Sequence, residues 1–383
     1  MFFCGKYNSM KNKVFCAIMR AASILLCLSS IIGILQINIS ASNDFSVNAK
    51  AAVVYDVDNA SPLYAKNENV RLPMASTTKI MTALVTIERE NLNKKIKVDP
   101  RAVGVEGSSA YLRAGEEFTL RELLYALMLR SANDAAEAIA YAVAGSIEEF
   151  ALIMNEKATS LGLCDTHFTN PHGLDDDEHY TTALELAKIA AAALEYPEFC
   201  EIVSTKTKKV EKEDITRLFA NHNKMLARYA GCIGVKTGYT QKSGRCLVSA
   251  AVRNGVRLIA VTLSCPDDWR EHEKMLDFGF SQLERVTVVS KDEFMRSAIV
   301  KDGVTSSVKL GIDSDITIIK KKTDDLPKID IDIPQILNTP VELGDAVGKI
   351  RLTYPDGHIE EFDVIALENV KKAKKKGLFG LFG

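Results

Sequence analysis

The stretch GCIGVKTGYTQKSGRCLVSAAVRNGVRLIAVTLSC, residues 231–265, decides the fold class. It holds three β-type runs, 231–238, 244–252 and 255–265, and the last two meet at Arg253, Asn254 and Gly255, a hairpin turn signal. Upstream, AAVVYDVDNASPLYAKN (51–67) reads as another hairpin, turning around Asp58 and Asn59. Apolar residues recur at helical spacing between these β segments, over 74–90, 119–130, 133–145, 146–162 and 181–195. Strands at both ends with helices between them predict an α/β sandwich whose antiparallel sheet unites the two ends of the segment. From about residue 284 the pattern changes to short alternating runs such as RVTVVS, DITIIKKK, KIDIDIP and GKIRLTY, which predict a small all-β domain over 284–369.

The chain has 383 residues, 47% hydrophobic and 26% charged, enough for a large core and for two domains. A net charge of −2 argues against a general nucleic-acid role. Lys6, Lys11, Lys13 and Arg20 precede the apolar run AASILLCLSSIIGILQINIS, which ends at Ser40, Ala41 and Ser42. This reads as a signal peptide over 1–42, and hence an exported protein. The run is also nearly long enough to stay as an uncleaved anchor. Cleavage near residue 42 removes those four positive charges and takes the balance from −2 to −6. Five cysteines would remain, Cys164, Cys200, Cys232, Cys246 and Cys265. Their odd number and irregular spacing give neither a disulfide framework nor a zinc motif, and they read as buried small hydrophobes, with a Cys232–Cys246 bridge left open.

The chemistry begins at ASTTKIMTAL (75–84), which sets Ser76 and Lys79 one turn apart on one helix face. Lysine is a poor choice for a helix start, where the dipole favours negative charge. Since Ile80, Met81, Leu84, Val85 and Ile87 are apolar at helical spacing, Lys79 opens a helix bound for the interior. A buried lysine is driven toward its neutral form, which can take a proton from a hydroxyl. Alone the spacing is weak, since it recurs at Ser306 and Lys309. Two further motifs strengthen it: SAN, Ser131–Asn133, between two helical patterns, and KTG, Lys236–Gly238, at the end of a strand run. SxN alone is cheap as well, for SVN occurs at 46–48.

Together and in this order, the three motifs resemble those of serine β-lactamases and penicillin-binding proteins. On that reading Ser76 is the nucleophile, with its amide as half of an oxyanion hole, and Lys79 takes its proton. Ser131 relays a proton to the leaving amine, and the Asn133 amide binds the substrate backbone. Lys236 keeps the site positive, while Thr237 meets a carboxylate. Gly238 allows close approach of a peptide to the strand edge, and the Tyr239 amide is the second oxyanion donor.

The longer stretches LPMASTTKIMTALV, MLRSANDAAEAIA, FTNPHGLDDDEHYTTALELAKIA and GVKTGYTQKSGRCLVSAA resemble the low-molecular-mass D-alanyl-D-alanine carboxypeptidases, over about residues 45–370. The resemblance implies a catalytic domain over 45–283 with a β-lactamase/transpeptidase-like fold. It implies a substrate, the peptidoglycan stem peptide ending in D-Ala-D-Ala, and acylation by β-lactam antibiotics. No metal or cofactor is implied. The last residues, 370–383, close with KKAKKKGLFGLFG and read as a basic, apolar tail for an anionic membrane surface, placing the enzyme at the outer face of the cell membrane.

The nearest alternative, a class A β-lactamase, needs a glutamate for deacylation, and no ExxLN-like signature follows SAN. A penicillin-binding sensor is the other, opposed by the intact lysine, serine and asparagine set. One departure stands out, because family members often carry arginine between two asparagines where this chain has His222 in NHN. His167, His172 and His179, beside Asp175, Asp176 and Asp177, include metal-binding residue types but lack the spacing of a metal site. They read as an ordered loop, with Thr181 or Thr182 capping the next helix.

Overall fold

The computed structural model describes residues 45–212 and 215–374. The first hairpin is β1 (Ala51–Asp56) and β2 (Ser61–Lys66). A 3-10 turn, Ala75–Thr78, runs directly into α1 (Lys79–Arg89). Short paired strands β3 (Lys95–Lys97) and β4 (Glu117–Thr119) bracket a long loop before α2 (Leu120–Leu129), α3 (Asn133–Ala144) and α4 (Ile147–Ser160). After a second loop come α5 (Ala183–Leu194) and α6 (Pro197–Ser204), paired strands β5 (Thr207–Glu211) and β6 (Thr216–Ala220), and the single turn α7 (Met225–Arg228). The long strands β7 (Cys232–Thr240), β8 (Gly244–Arg253) and β9 (Val256–Leu263) lead to α8 (Asp268–Gln282).

The expected sheet is present, with order β2-β1-β9-β8-β7 and every neighbour antiparallel. β1 pairs with β9 in the register Val53↔Val261, so the two ends of the segment meet at the centre. Asn254 and Gly255 have φ of 54° and 82°, which gives the two-residue turn between β8 and β9 the twist that an antiparallel hairpin needs. Helices α1 to α6 pack on one face. Helix α8 covers the other, as expected for a sheet whose β1 and β9 are almost wholly buried and whose β8 is buried from Cys246 through Ala251.

Helix α1 lies at the centre of the helical layer, buried from Lys79 through Thr86. Its apolar side chains Ile80, Met81, Leu84 and Val85 are at most 1% exposed, each contributing roughly 2 kcal/mol by burial. Thr119 and Glu122 form a reciprocal capping box at the start of α2, and Thr182 caps α5 by accepting from the Glu185 amide. α3 stops at Gly145, whose φ of 84° suits glycine. All five described cysteines are free thiols, so Cys232 and Cys246 are not bridged. Only Cys246 and Cys265 are fully buried, whereas Cys164 is exposed.

An all-β region follows α8 immediately. β10 (Leu283–Val289) pairs with β13 (Ile316–Lys321). β11 (Arg296–Lys301), β12 (Ser307–Gly311), β14 (Lys328–Asp332), β15 (Ile336–Asn338), β16 (Ala346–Thr353) and β17 (Ile359–Ala366) form a sheet of order β14-β16-β17-β12-β11-β15. Val308, Leu310, Ile350, Leu352 and Val364 build its separate core. The chain remains fastened beyond β17, since the Ala373 amide donates to Asp302 O at 2.8 Å. The leader and the end of the tail, 1–44 and 375–383, lie outside the described residues. Among the described residues no helix is long and apolar enough to cross a membrane.

Candidate active site

The turn carrying Ser76 is held from three sides. Thr77 Oγ1 donates to Met74 O at 2.6 Å and Thr78 Oγ1 to Ala75 O at 2.8 Å, while Ala75 takes a φ of 48°, uncommon for a side chain. Behind it, Gly173 packs so closely that a Cβ would lie 2.0 Å from Ala75 O. In front runs β7, where a Cβ on Gly238 would lie 3.0 Å from Ser76 N and 3.1 Å from Met74 O. The space left by Gly238, expected to admit a peptide, is therefore taken up by the serine's own turn. KTG also lies within β7 rather than at its end, for pairing continues through Tyr239↔Arg245 and Thr240↔Gly244.

Lys79 is fully buried, and its Nζ meets three oxygens. It lies 2.9 Å from Ser76 Oγ and donates to Asn133 Oδ1 at 2.7 Å and to His172 O at 2.6 Å. Burial, and then the nearby Lys236 ammonium, hold its pKa well below the lysine range, opposed by Asp134. Two of the three contacts are carbonyl oxygens, which only accept. A neutral amine has two N–H groups, and these two carbonyls use both, so the lone pair is left facing the Ser76 hydroxyl. The geometry thus suits proton transfer from serine to lysine.

Asn133 begins α3. Its Nδ2 donates to Glu106 O at 2.6 Å, and Gly107, with φ of 91°, makes room for it. Its Oδ1 serves Lys79, a use that the motif alone did not reveal. Ser131, buried with φ of 60°, lies in the sharp link between α2 and α3. Asp134, missed in the sequence, accepts from the amides of Ala110 and Leu112 and from Ser109 Oγ. It ties the β3–β4 loop to the helix start; the clue was an acidic residue in a first turn, where the dipole favours it.

On β7, Lys236 is buried and donates to Thr237 O at 2.9 Å, and burial lowers its pKa to about 7. Strand alternation puts Thr237 and Tyr239 on the face opposite Lys236 and Gly238. Tyr239 is 67% exposed, so toward the Ser76 turn the strand presents backbone at that position. His222 is exposed to solvent, yet partial desolvation of its ring, Lys236 and Arg130 all lower its pKa. Arg130, with Lys236 while it is protonated, makes this region cationic, and that charge helps keep His222 neutral. The flanking asparagines are structural: Asn221 Nδ2 donates to Val203 O and Thr205 O, and Asn223 Oδ1 accepts from the Met225 amide.

The histidine-rich loop braces the serine turn. His179 Nδ1 accepts from the Thr169 amide at 3.0 Å, so Nε2 carries the hydrogen and donates to Thr78 Oγ1 at 2.7 Å. Burial lowers the His179 pKa to about 3, which keeps the ring neutral. His167 Nδ1 pairs with Glu178 O at 2.6 Å, and Asp175 and Asp177 bind Thr240 Oγ1 and Lys242 beyond the KTG strand.

The sequence profile of the D-alanyl-D-alanine carboxypeptidase family matches residues 37–267. That of the penicillin-binding protein 5 C-terminal domain matches residues 283–372. The D-alanyl-D-alanine carboxypeptidase DacF of Bacillus subtilis is 34% identical over 343 residues, covering 87% of this chain and 88% of its own. DacC of Escherichia coli is 32% identical over 354 residues, covering 88% and 86%. Among solved structures, penicillin binding protein 5 from Haemophilus influenzae aligns with a TM-score of 0.62 and 26% identity, over 86% of this chain and 99% of its own. The Streptomyces K15 DD-transpeptidase aligns over 62% of this chain and 98% of its own, with a TM-score of 0.59 and 33% identity. Both the catalytic fold and the appended β region thus have counterparts of known structure, and the chain belongs to the D-alanyl-D-alanine carboxypeptidase family.

Proposed function

We propose that this chain is a serine-type D-Ala-D-Ala carboxypeptidase that removes the terminal D-alanine from peptidoglycan stem peptides and is acylated by β-lactams. The observation that carries the reading is the Lys79 amine, with two obligate acceptors on its N–H groups and the Ser76 hydroxyl opposite its lone pair. Ser76 Oγ attacks the carbonyl carbon of the penultimate D-alanine as Lys79 takes its proton. The oxyanion is held by the amides of Ser76 and Tyr239. The proton passes from Lys79 through Ser131 to the leaving nitrogen, free D-alanine departs, and water hydrolyses the ester on Ser76. Asn133 orients the substrate backbone with the N–H that Glu106 O does not take. Thr237 meets the terminal carboxylate, which the positive charge of Lys236 attracts from the other face of the strand.

The purified protein should release D-alanine from a stem peptide ending in D-Ala-D-Ala, and Ser76→Ala should abolish the release. Undiminished release by Ser76→Ala would overturn the assignment. The division between catalytic and β domains at 283–284 and the tail over 370–383 belong to the same reading. In it, the β domain spaces the cleft from an anionic membrane surface to which the lysines and the Leu and Phe residues of the tail attach an exported enzyme.

A further inference from the structure

Two buried side chains beside the serine–lysine pair, Glu137 and His172, have no part in the steps above. Glu137 follows Asn133 by four residues on α3, so both side chains leave the same helix face. Glu137 Oε1 lies 3.4 Å from His172 Nε2, and their side chains are 13% and 8% exposed. The other ring nitrogen, Nδ1, accepts from the Leu174 amide at 3.2 Å. An amide N–H only donates, so in the neutral ring the hydrogen sits on Nε2, facing the carboxylate. Burial lowers the His172 pKa despite Glu137, so the ring stays neutral near pH 7. His172 is thus held at both ring nitrogens, and its backbone amide, with that of Gly173, points at Asn170 Oδ1. Its backbone oxygen is the one that receives Lys79 Nζ at 2.6 Å.

We propose that Glu137 is a positioning residue for the general base: through the His172 ring it fixes the loop carbonyl that aims the Lys79 lone pair at Ser76. The proposal rests on Lys79 being the base. The lone pair has a fixed direction only while both N–H groups have fixed acceptors. Asn133 supplies one acceptor from α3 directly, and Glu137 secures the other at one remove. One helix face therefore sets both.

The test is acylation of the full chain by a fluorescent penicillin, with the limiting acylation rate separated from the half-saturating concentration. Glu137→Gln keeps an acceptor oxygen and should stay within about threefold of wild type, whereas Glu137→Leu should lower the limiting rate by about tenfold or more with half-saturation little changed. Placed on His172→Ala, Glu137→Leu should add almost nothing, because the two side chains act in series. A wild-type limiting rate in Glu137→Leu, or an equal fold loss with and without His172, would overturn the proposal. Should Glu137→Leu not fold, Glu137→Asn, which withdraws the oxygen by one methylene, must show the same selective loss or the proposal falls. A merely structural role would lower the melting temperature without moving the limiting rate of the folded protein. Failure of the wild type to take up penicillin would overturn the serine–lysine reading instead.

Discussion

Lys79 and Lys236 are two buried ammonium groups close enough to repel, and their order of proton loss sets the chemistry. Burial and the Lys236 charge together drive Lys79 toward the neutral form that a base requires, while burial alone brings the Lys236 pKa to about 7. With a carboxylate-bearing peptide, kcat/KM should therefore rise with pH as Lys79 deprotonates and fall as Lys236 does. Lys236→Arg replaces the second group by one that stays charged, so the alkaline fall should disappear while the acid limb remains. An unchanged alkaline limb would show that Lys236 is not the group responsible. The residue types of this site were legible because SxxK, SxN and KTG are each local. Their partners were not: Asn133 and His172 lie 54 and 93 positions from Lys79 in the chain, and Glu137 and Asp134 gain meaning only through folded contacts.

At the level of elements, the long helices and the strands of the main sheet were legible because their periodicity runs for several turns or pairs. Helix α8 was not, since six of the fifteen residues in its run DWREHEKMLDFGFSQ are charged and it contains Gly279. Gly279 usually reads as a weak point in a helix, yet here a Cβ would lie 2.7 Å from Leu258 and Val54 side chains, so the glycine lets the helix approach the sheet. β3 to β6 have only three to five residues each, too few for a clear pattern. The loop bearing Gly173 matters more than its lack of regular structure suggests. Gly173→Ala adds a Cβ at a φ of 89° and against Ala75 O, which should destabilise the fold by about 3 kcal/mol and slow acylation by displacing the serine turn. Denaturant unfolding with a penicillin acylation assay checks both effects. A variant within about 0.5 kcal/mol of wild type and fully active would contradict the close packing of loop and turn.

For the whole molecule, the order of an α/β layer followed by an all-β region was legible from the change of period near residue 284. The strand order β14-β16-β17-β12-β11-β15 was not, because short strands of similar alternation pair through contacts that no local pattern encodes. The β region holds the chain as far as Ala373, and most of the proposed tail lies outside the described residues. Removing residues 374–383 should abolish salt-sensitive co-sedimentation of signal-less protein with anionic vesicles, since near such a surface each lysine contributes about 1 kcal/mol. Equal sedimentation of both forms would assign attachment elsewhere. The most direct test of the central claim, a covalent acyl-enzyme on Ser76 prepared by Lys79, is the intact mass of the chain after exposure to benzylpenicillin. We expect a gain of one penicillin per chain that persists after the drug is removed, maps to the peptide containing Ser76, and is absent from Ser76→Ala and nearly so from Lys79→Ala. Rapid return to the unmodified mass with hydrolysed drug in solution, or an adduct on any other residue, would contradict it.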